Sequence, residues 1–105
     1  LQPVSRFLLV GTRRQLVQAH RDEIMRLVRL NRGRRAYLFG SVARGDDGDS
    51  SDIDLLIEFE DGSSLFDVKH LEDDLSGLLG VQVDVVSVGG LLDRDEHVRR
   101  EAIPI

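Results

Sequence analysis

The chain contains no cysteine, and its only two prolines, Pro3 and Pro104, stand near its ends. Without thiols, disulfides and thiolate-bound zinc are excluded. No apolar run approaches the roughly 20 residues that a membrane-spanning helix needs, and VSRFLLV is too short for a secretory signal. Positive charge is also in short supply: 14 Lys and Arg face 19 Asp and Glu, for a net charge of −5 and a pI near 5.1. Nucleic-acid binders draw affinity from neutralising phosphates, so a chain with this balance is not expected to bind nucleic acid directly. The arginines between Arg13 and Arg35 read as a solvated helix face. We therefore expect a cytosolic protein with no membrane association.

What is present describes one small globular unit. The 105 residues are 41% apolar and 31% charged, as in ordinary soluble domains. A chain of this length buries roughly two-thirds of its unfolded surface, enough for one core. No internal repeat or low-complexity linker divides it, so residues 1–105 are read as a single domain.

Hydrophobic periodicity then sets the order of elements. Thr12 to Arg32 reads as a helix, with Leu16, Val17, Ile24, Leu27 and Val28 at helical spacing and Gly33 as its left-handed cap. His20 falls on that stripe as a half-buried structural residue. RRAYLFG is a short strand that ends in a Gly-Ser turn, followed by what reads as one helical turn, Val42 to Arg44. The loop RGDDGDSS leads to a second strand, DIDLLIEFE. Ser64 to Leu79 is a second long helix, with Ser64 and Asp67 as a capping box and Gly80 at its end. Val68, Leu71, Leu75, Leu78 and Leu79 form its inner stripe, while Lys69 and His70 fall toward solvent. VQVDVVSV is the third strand, and Asp93 to Ala102 a short polar helix before the tail IPI. This order predicts an α/β (α+β) fold, a small mixed sheet with helices packed on it.

Residues 37–59, YLFGSVARGDDGDSSDIDLLIEF, carry the chemistry. Two aspartates interrupt the apolar second strand, where an uncompensated carboxylate is costly. Alternation places Asp52 and Asp54 on one face, their backbones about 6 to 7 Å apart, with Ile53 and Leu55 on the other. Asp84 interrupts the valines of the third strand in the same manner. If the two strands are neighbours, three carboxylates converge on one side of the sheet, and such crowding calls for cations. Oxygen-only ligands suit Mg2+ or Mn2+, which retain waters and bind substrate phosphates. Gly40 and Ser41 sit where a strand runs into a helical turn, a place that lets a ligand approach the backbone and offers free amides to phosphate. A P-loop is excluded by the lack of its lysine, and an EF-hand by Asp52 standing where its turn needs glycine.

The motif GSVARGDDGDSSDIDLL, the helix SLFDVKHLEDDLSGLLG, the strand VDVVS and the terminal REAIPI resemble a known family across nearly the whole chain from Thr12 onward. It is that of the minimal nucleotidyltransferases of the polymerase-β-like superfamily, the small antitoxin partners of HEPN-domain toxins. The resemblance implies that Asp52, Asp54 and Asp84 hold two Mg2+ ions and are the catalytic acids. It implies that Gly40 and Ser41 hold the β- and γ-phosphates of ATP, and that Arg44 matches a basic position common after the Gly-Ser. Many relatives carry a further arginine directly after that serine, where this chain has Val42.

The activity implied is transfer of AMP from ATP to a tyrosine of a cognate HEPN ribonuclease toxin, which silences it. The chain has no residues left for an acceptor-binding domain, so a partner is expected to bring the acceptor hydroxyl. Two other readings are carried alongside: an antitoxin that acts by covering the toxin's active site, and nucleotidyl transfer to a small molecule, with a homo-oligomer building the acceptor cleft.

Overall fold

The structure, a computed structural model, describes residues 13–44, 52–90 and 100–105, with the side chains of Ser41 and Arg44 outside that description. Its elements are α1 (Arg13–Ala19), α2 (Arg21–Leu30), β1 (Gly33–Phe39), α3 (Gly40–Arg44), β2 (Ile53–Phe59), α4 (Leu65–Leu79), β3 (Val83–Ser87), a 3-10 turn (Val88–Gly90) and β4 (Ile103–Pro104). The four strands form one mixed sheet in the order β3-β2-β1-β4. β1 runs antiparallel to both β2 and β4, and β2 runs parallel to β3.

Alternation separates the two faces of this sheet. Ala36 and Leu38 of β1, Ile53, Leu55 and Ile57 of β2, and Val83 and Val85 of β3 are buried together with Val17, Ile24, Val28, Leu71, Leu75 and Leu79 of the helices. Burial of these apolar side chains supplies the main driving force for folding. The other face carries Tyr37, Asp54, Leu56, Glu58, Asp84 and Val86 by the same period of two.

Several expectations needed correction. The first helix is two, because His20 breaks it: its Nδ1–H donates to the Leu16 carbonyl (3.1 Å), and its backbone amide turns to the Val17 carbonyl (3.2 Å). A side chain inserted into the helical ladder is a recognised cause of a kink. Gly33 is not the cap. Asn31 terminates α2, Arg32 adopts the left-handed conformation (φ 68°), and Gly33 opens β1. The glycine is needed instead for close approach, since a β-carbon there would stand 2.5 Å from Val28 Cγ1 and 2.9 Å from the Val28 carbonyl oxygen. His70 is exposed, as expected, and its Nδ1 also lies 3.2 Å from Asn31 Oδ1.

The second long helix forms as its sequence predicts. Ser64 Oγ accepts from the Phe66 amide, Asp67 returns a bond to the Ser64 amide, and Gly80 closes the helix at φ 72°. Most of the expected polar helix from Asp93 to Ala102 lies outside the described residues. The tail has a role that periodicity did not suggest: Ile103 and Pro104 pair with Leu38 and Tyr37, and the Ile105 amide donates to the Ala36 carbonyl.

Candidate active site

The site begins where β1 ends. Phe39 lies opposite Asp54 in the β1–β2 register, and the chain then turns into α3 at Gly40 with φ 74°. A side chain at Gly40 would be strained there, and its β-carbon would overlap the Asp54 carboxylate. The glycine therefore lets the helical turn sit directly against the acid. Val42 and Ala43 anchor that turn in the core. Arg14, from α1, donates from Nη2 to the Ala43 carbonyl (3.0 Å) and satisfies an acceptor near the helix end.

On the other side of Asp54 lies β3. Asp54 and Asp84 are direct register partners of the parallel pair, flanked by Ile53 with Val83 and Leu55 with Val85. Their Cα atoms are therefore about 4.8 Å apart, and both side chains leave the same face of the sheet. Both residues are half-buried. Asp52 is exposed, one residue ahead of β2, on the Asp54 side by alternation. The adjacency of strands on which the three-acid reading depended is present.

Convergence is less complete than the sequence suggested. Among the described residues, no three Asp, Glu, His or Cys side chains form a group able to hold a metal ion. Asp84 Oδ1 accepts a hydrogen bond from Gln82 Nε2 (3.3 Å). Like charges that share one face lower their energy by standing apart. The nucleus of the site is thus the Asp54–Asp84 pair, with Asp52 beside it. The oxygen-only donor set and the glycine cradle against Asp54 fit a hard divalent cation with open coordination positions. Ser41 and Arg44 lie in α3 by backbone, and no role of their side chains follows from the structure.

Further along the same face, Tyr37, Leu56, Glu58, Val88, Ala102 and Pro104 line a cavity of about 330 Å3. Leu56 follows Asp54 by two residues, so the cavity opens about 7 Å from the acids. The sequence reading missed Gln82, although it precedes Asp84 by two and shares its face. It also missed Arg14, whose contact with Ala43 spans 29 residues and leaves no local signal.

A mixed sheet with helices on one face and paired acids beside a glycine-led helical turn on the other defines a nucleotidyl-transfer fold. Residues 18–103 match the nucleotidyltransferase domain model, and the chain belongs to that family. It is 36% identical over 76 residues to the protein adenylyltransferase MntA of Thermococcus cleftensis, covering 72% of this chain and 74% of that protein. Three Methanocaldococcus jannaschii relatives with provisional protein-adenylyltransferase names match at 43–44% identity, but the chain spans only 51–62% of their length.

Among solved structures, a chain described provisionally as a minimal nucleotidyltransferase superposes with a TM-score of 0.79 at 44% identity. The superposition covers 90% of this chain and 98% of that one. A toxin–antitoxin crystallised with AMP-PNP gives a TM-score of 0.69 at 26% identity, over 79% of this chain and 69% of the neighbour. Among the described residues, no helix is long and apolar enough to cross a membrane.

Proposed function

We propose that this chain is a protein adenylyltransferase and antitoxin that transfers AMP from ATP to a tyrosine hydroxyl of a cognate HEPN ribonuclease toxin. The observation that carries the reading is the Asp54–Asp84 register pair beside Gly40. Like charges directly opposite on neighbouring strands destabilise a sheet, and such a pair beside a glycine-led turn suits a bound cation. A binding-only antitoxin has no use for them. The MntA relative and the toxin–antitoxin neighbour with AMP-PNP support the reading.

In this assignment Asp52, Asp54 and Asp84 hold two Mg2+ ions, which when bound neutralise phosphate charge and make the attacking oxygen more nucleophilic. Asp84 would complete one ion site and help the acceptor hydroxyl lose its proton. Gly40 and Ser41 present the backbone of the α3 turn to the β- and γ-phosphates, with Arg44 as a neighbouring cation. The tyrosine oxygen bonds to the α-phosphorus as the bond to the β-phosphate bridging oxygen breaks, releasing pyrophosphate. In-line transfer of this kind asks the protein for position and charge above all.

The test is to incubate the chain with its partner toxin, ATP and Mg2+ and record intact masses. One or more AMP additions on the toxin, at tyrosine by peptide mapping, are expected. A toxin mass unchanged with both Mg2+ and Mn2+ would overturn the reading.

A further inference from the structure

Among the described residues β3 is an edge strand of the sheet, and it packs against α4. Along a strand the peptide groups of successive residues point alternately to the two neighbours. The Gln82 carbonyl accepts from the Ile53 amide of β2 (3.0 Å), so Gln82 and Asp84 direct their peptide groups inward and Val83 and Val85 direct theirs outward. On an edge those outward amides would be open donors. Two side chains of α4 claim them. Ser76 Oγ accepts from the Val83 amide at 3.0 Å, and Glu72 Oε2 accepts from the Val85 amide at 2.9 Å.

The two bonds fall on the residues immediately before and after Asp84. They are spaced by one helical turn on α4 and by one full pleat on β3, so they fix position along the strand as well as distance from it. The other carboxylate oxygen of Glu72 lies 3.9 Å from Lys69 Nζ, with the Glu72 side chain only 23% exposed. A charged acceptor makes the stronger bond.

We propose that Glu72 and Ser76 are positioning residues, clamping the outer side of β3 before and after Asp84 so that its carboxylate keeps a fixed orientation toward Asp54. The inference rests on the metal-binding reading of the acids but adds residues outside them. Without the clamp β3 keeps its bonds to β2, so the strand stays paired with Asp84 beside Asp54, but its freed outer amides let the strand twist and the Asp84 carboxylate loses its fixed orientation. The groups that hold metal ligands in place typically change affinity by about 10- to 100-fold when removed.

The test is Mn2+ binding, followed by electron paramagnetic resonance of free Mn2+, on the wild type and on the Glu72→Ala, Glu72→Gln and Ser76→Ala variants. Amide hydrogen exchange is read at Val83 and Val85. Glu72→Ala should weaken Mn2+ binding about 10-fold or more and speed exchange at Val85. Glu72→Gln keeps an acceptor oxygen and should restore most of the affinity, and Ser76→Ala should speed exchange at Val83. Wild-type Mn2+ affinity in Glu72→Ala, with Val85 exchange accelerated, would overturn the clamp. So would a Gln variant as weak as the Ala variant in a protein that still melts like the wild type. If the wild type itself binds no Mn2+, the metal-binding reading fails first and the clamp has no role to play, a result distinguishable from the others.

Discussion

Asp54 and Asp84 stand side by side as register partners on two parallel strands, one central and one at the edge of the sheet that the described residues form. Like charges placed directly opposite each other on neighbouring strands destabilise a sheet. Such a pair is the feature that binding of a cationic or metal-linked ligand explains.

Replacing Asp84 by Asn should therefore separate activity from folding. AMP transfer is expected to fall about 10^3-fold, the equivalent of about 4 kcal/mol of lost charge stabilisation. The melting temperature should stay level or rise slightly, because one of two opposed charges is gone. Single-turnover transfer and calorimetry measure the two effects on one sample. A variant that melts several degrees lower would instead make Asp84 a structural residue.

Gly40→Ala tests the cradle against Asp54. The left-handed φ of 74° strains any L side chain, and the added methyl overlaps the Asp54 carboxylate. We expect a stability loss of about 1 to 2 kcal/mol, read from urea denaturation. Transfer should fall further than that, because the acid itself must shift. Full activity in the alanine variant would mean that the turn and the acid are independent.

Periodicity made most of this architecture legible, for reasons that particular residues illustrate. Leu71, Leu75 and Leu79 repeat at helical spacing because one face of α4 meets the sheet, and the Ser64–Asp67 box is a local chemical signal. Asp54 and Asp84 stood out because a carboxylate breaks an apolar strand. The parallel pairing that sets them side by side could only be supposed. The pairing of Ile103 with Leu38 and the bond from Arg14 to Ala43 connect distant residues, and neither leaves a pattern in its own neighbourhood. The split at His20 was hidden because a histidine continues the stripe while its ring takes the Leu16 carbonyl.

Arg32 offers a stabilising change. It is the one non-glycine residue with positive φ among the described residues, and the Glu60 amide donates to its carbonyl (2.8 Å), fixing that conformation. A left-handed L residue costs roughly 1 to 2 kcal/mol, partly offset by the extra freedom that glycine gives the unfolded chain. Arg32→Gly should raise stability by about 0.5 to 1 kcal/mol in chemical denaturation. A loss would show that the arginine side chain makes a contact worth more than the strain.

Asn31 closes the seam between α2 and α4, and its amide is satisfied on both sides. Nδ2 donates to the Leu27 carbonyl (2.9 Å) and to Asp74 Oδ2 (3.1 Å), while Oδ1 accepts from His70 Nδ1 (3.2 Å). The residue is 6% exposed, so little water can replace these partners. Asn31→Ala should cost about 1 to 3 kcal/mol, since the carbonyl and the carboxylate lose their donor together. Asn31→Asp should cost more despite its near-identical shape. It removes both donors and sets a second carboxylate against Asp74, where a neutral amide had bridged the helices. Thermal melts of the two variants rank the effects, with roughly 4 to 8 °C expected per kcal/mol in a domain of this size. If the aspartate variant melts above the alanine variant, packing at this position outweighs its hydrogen bonds.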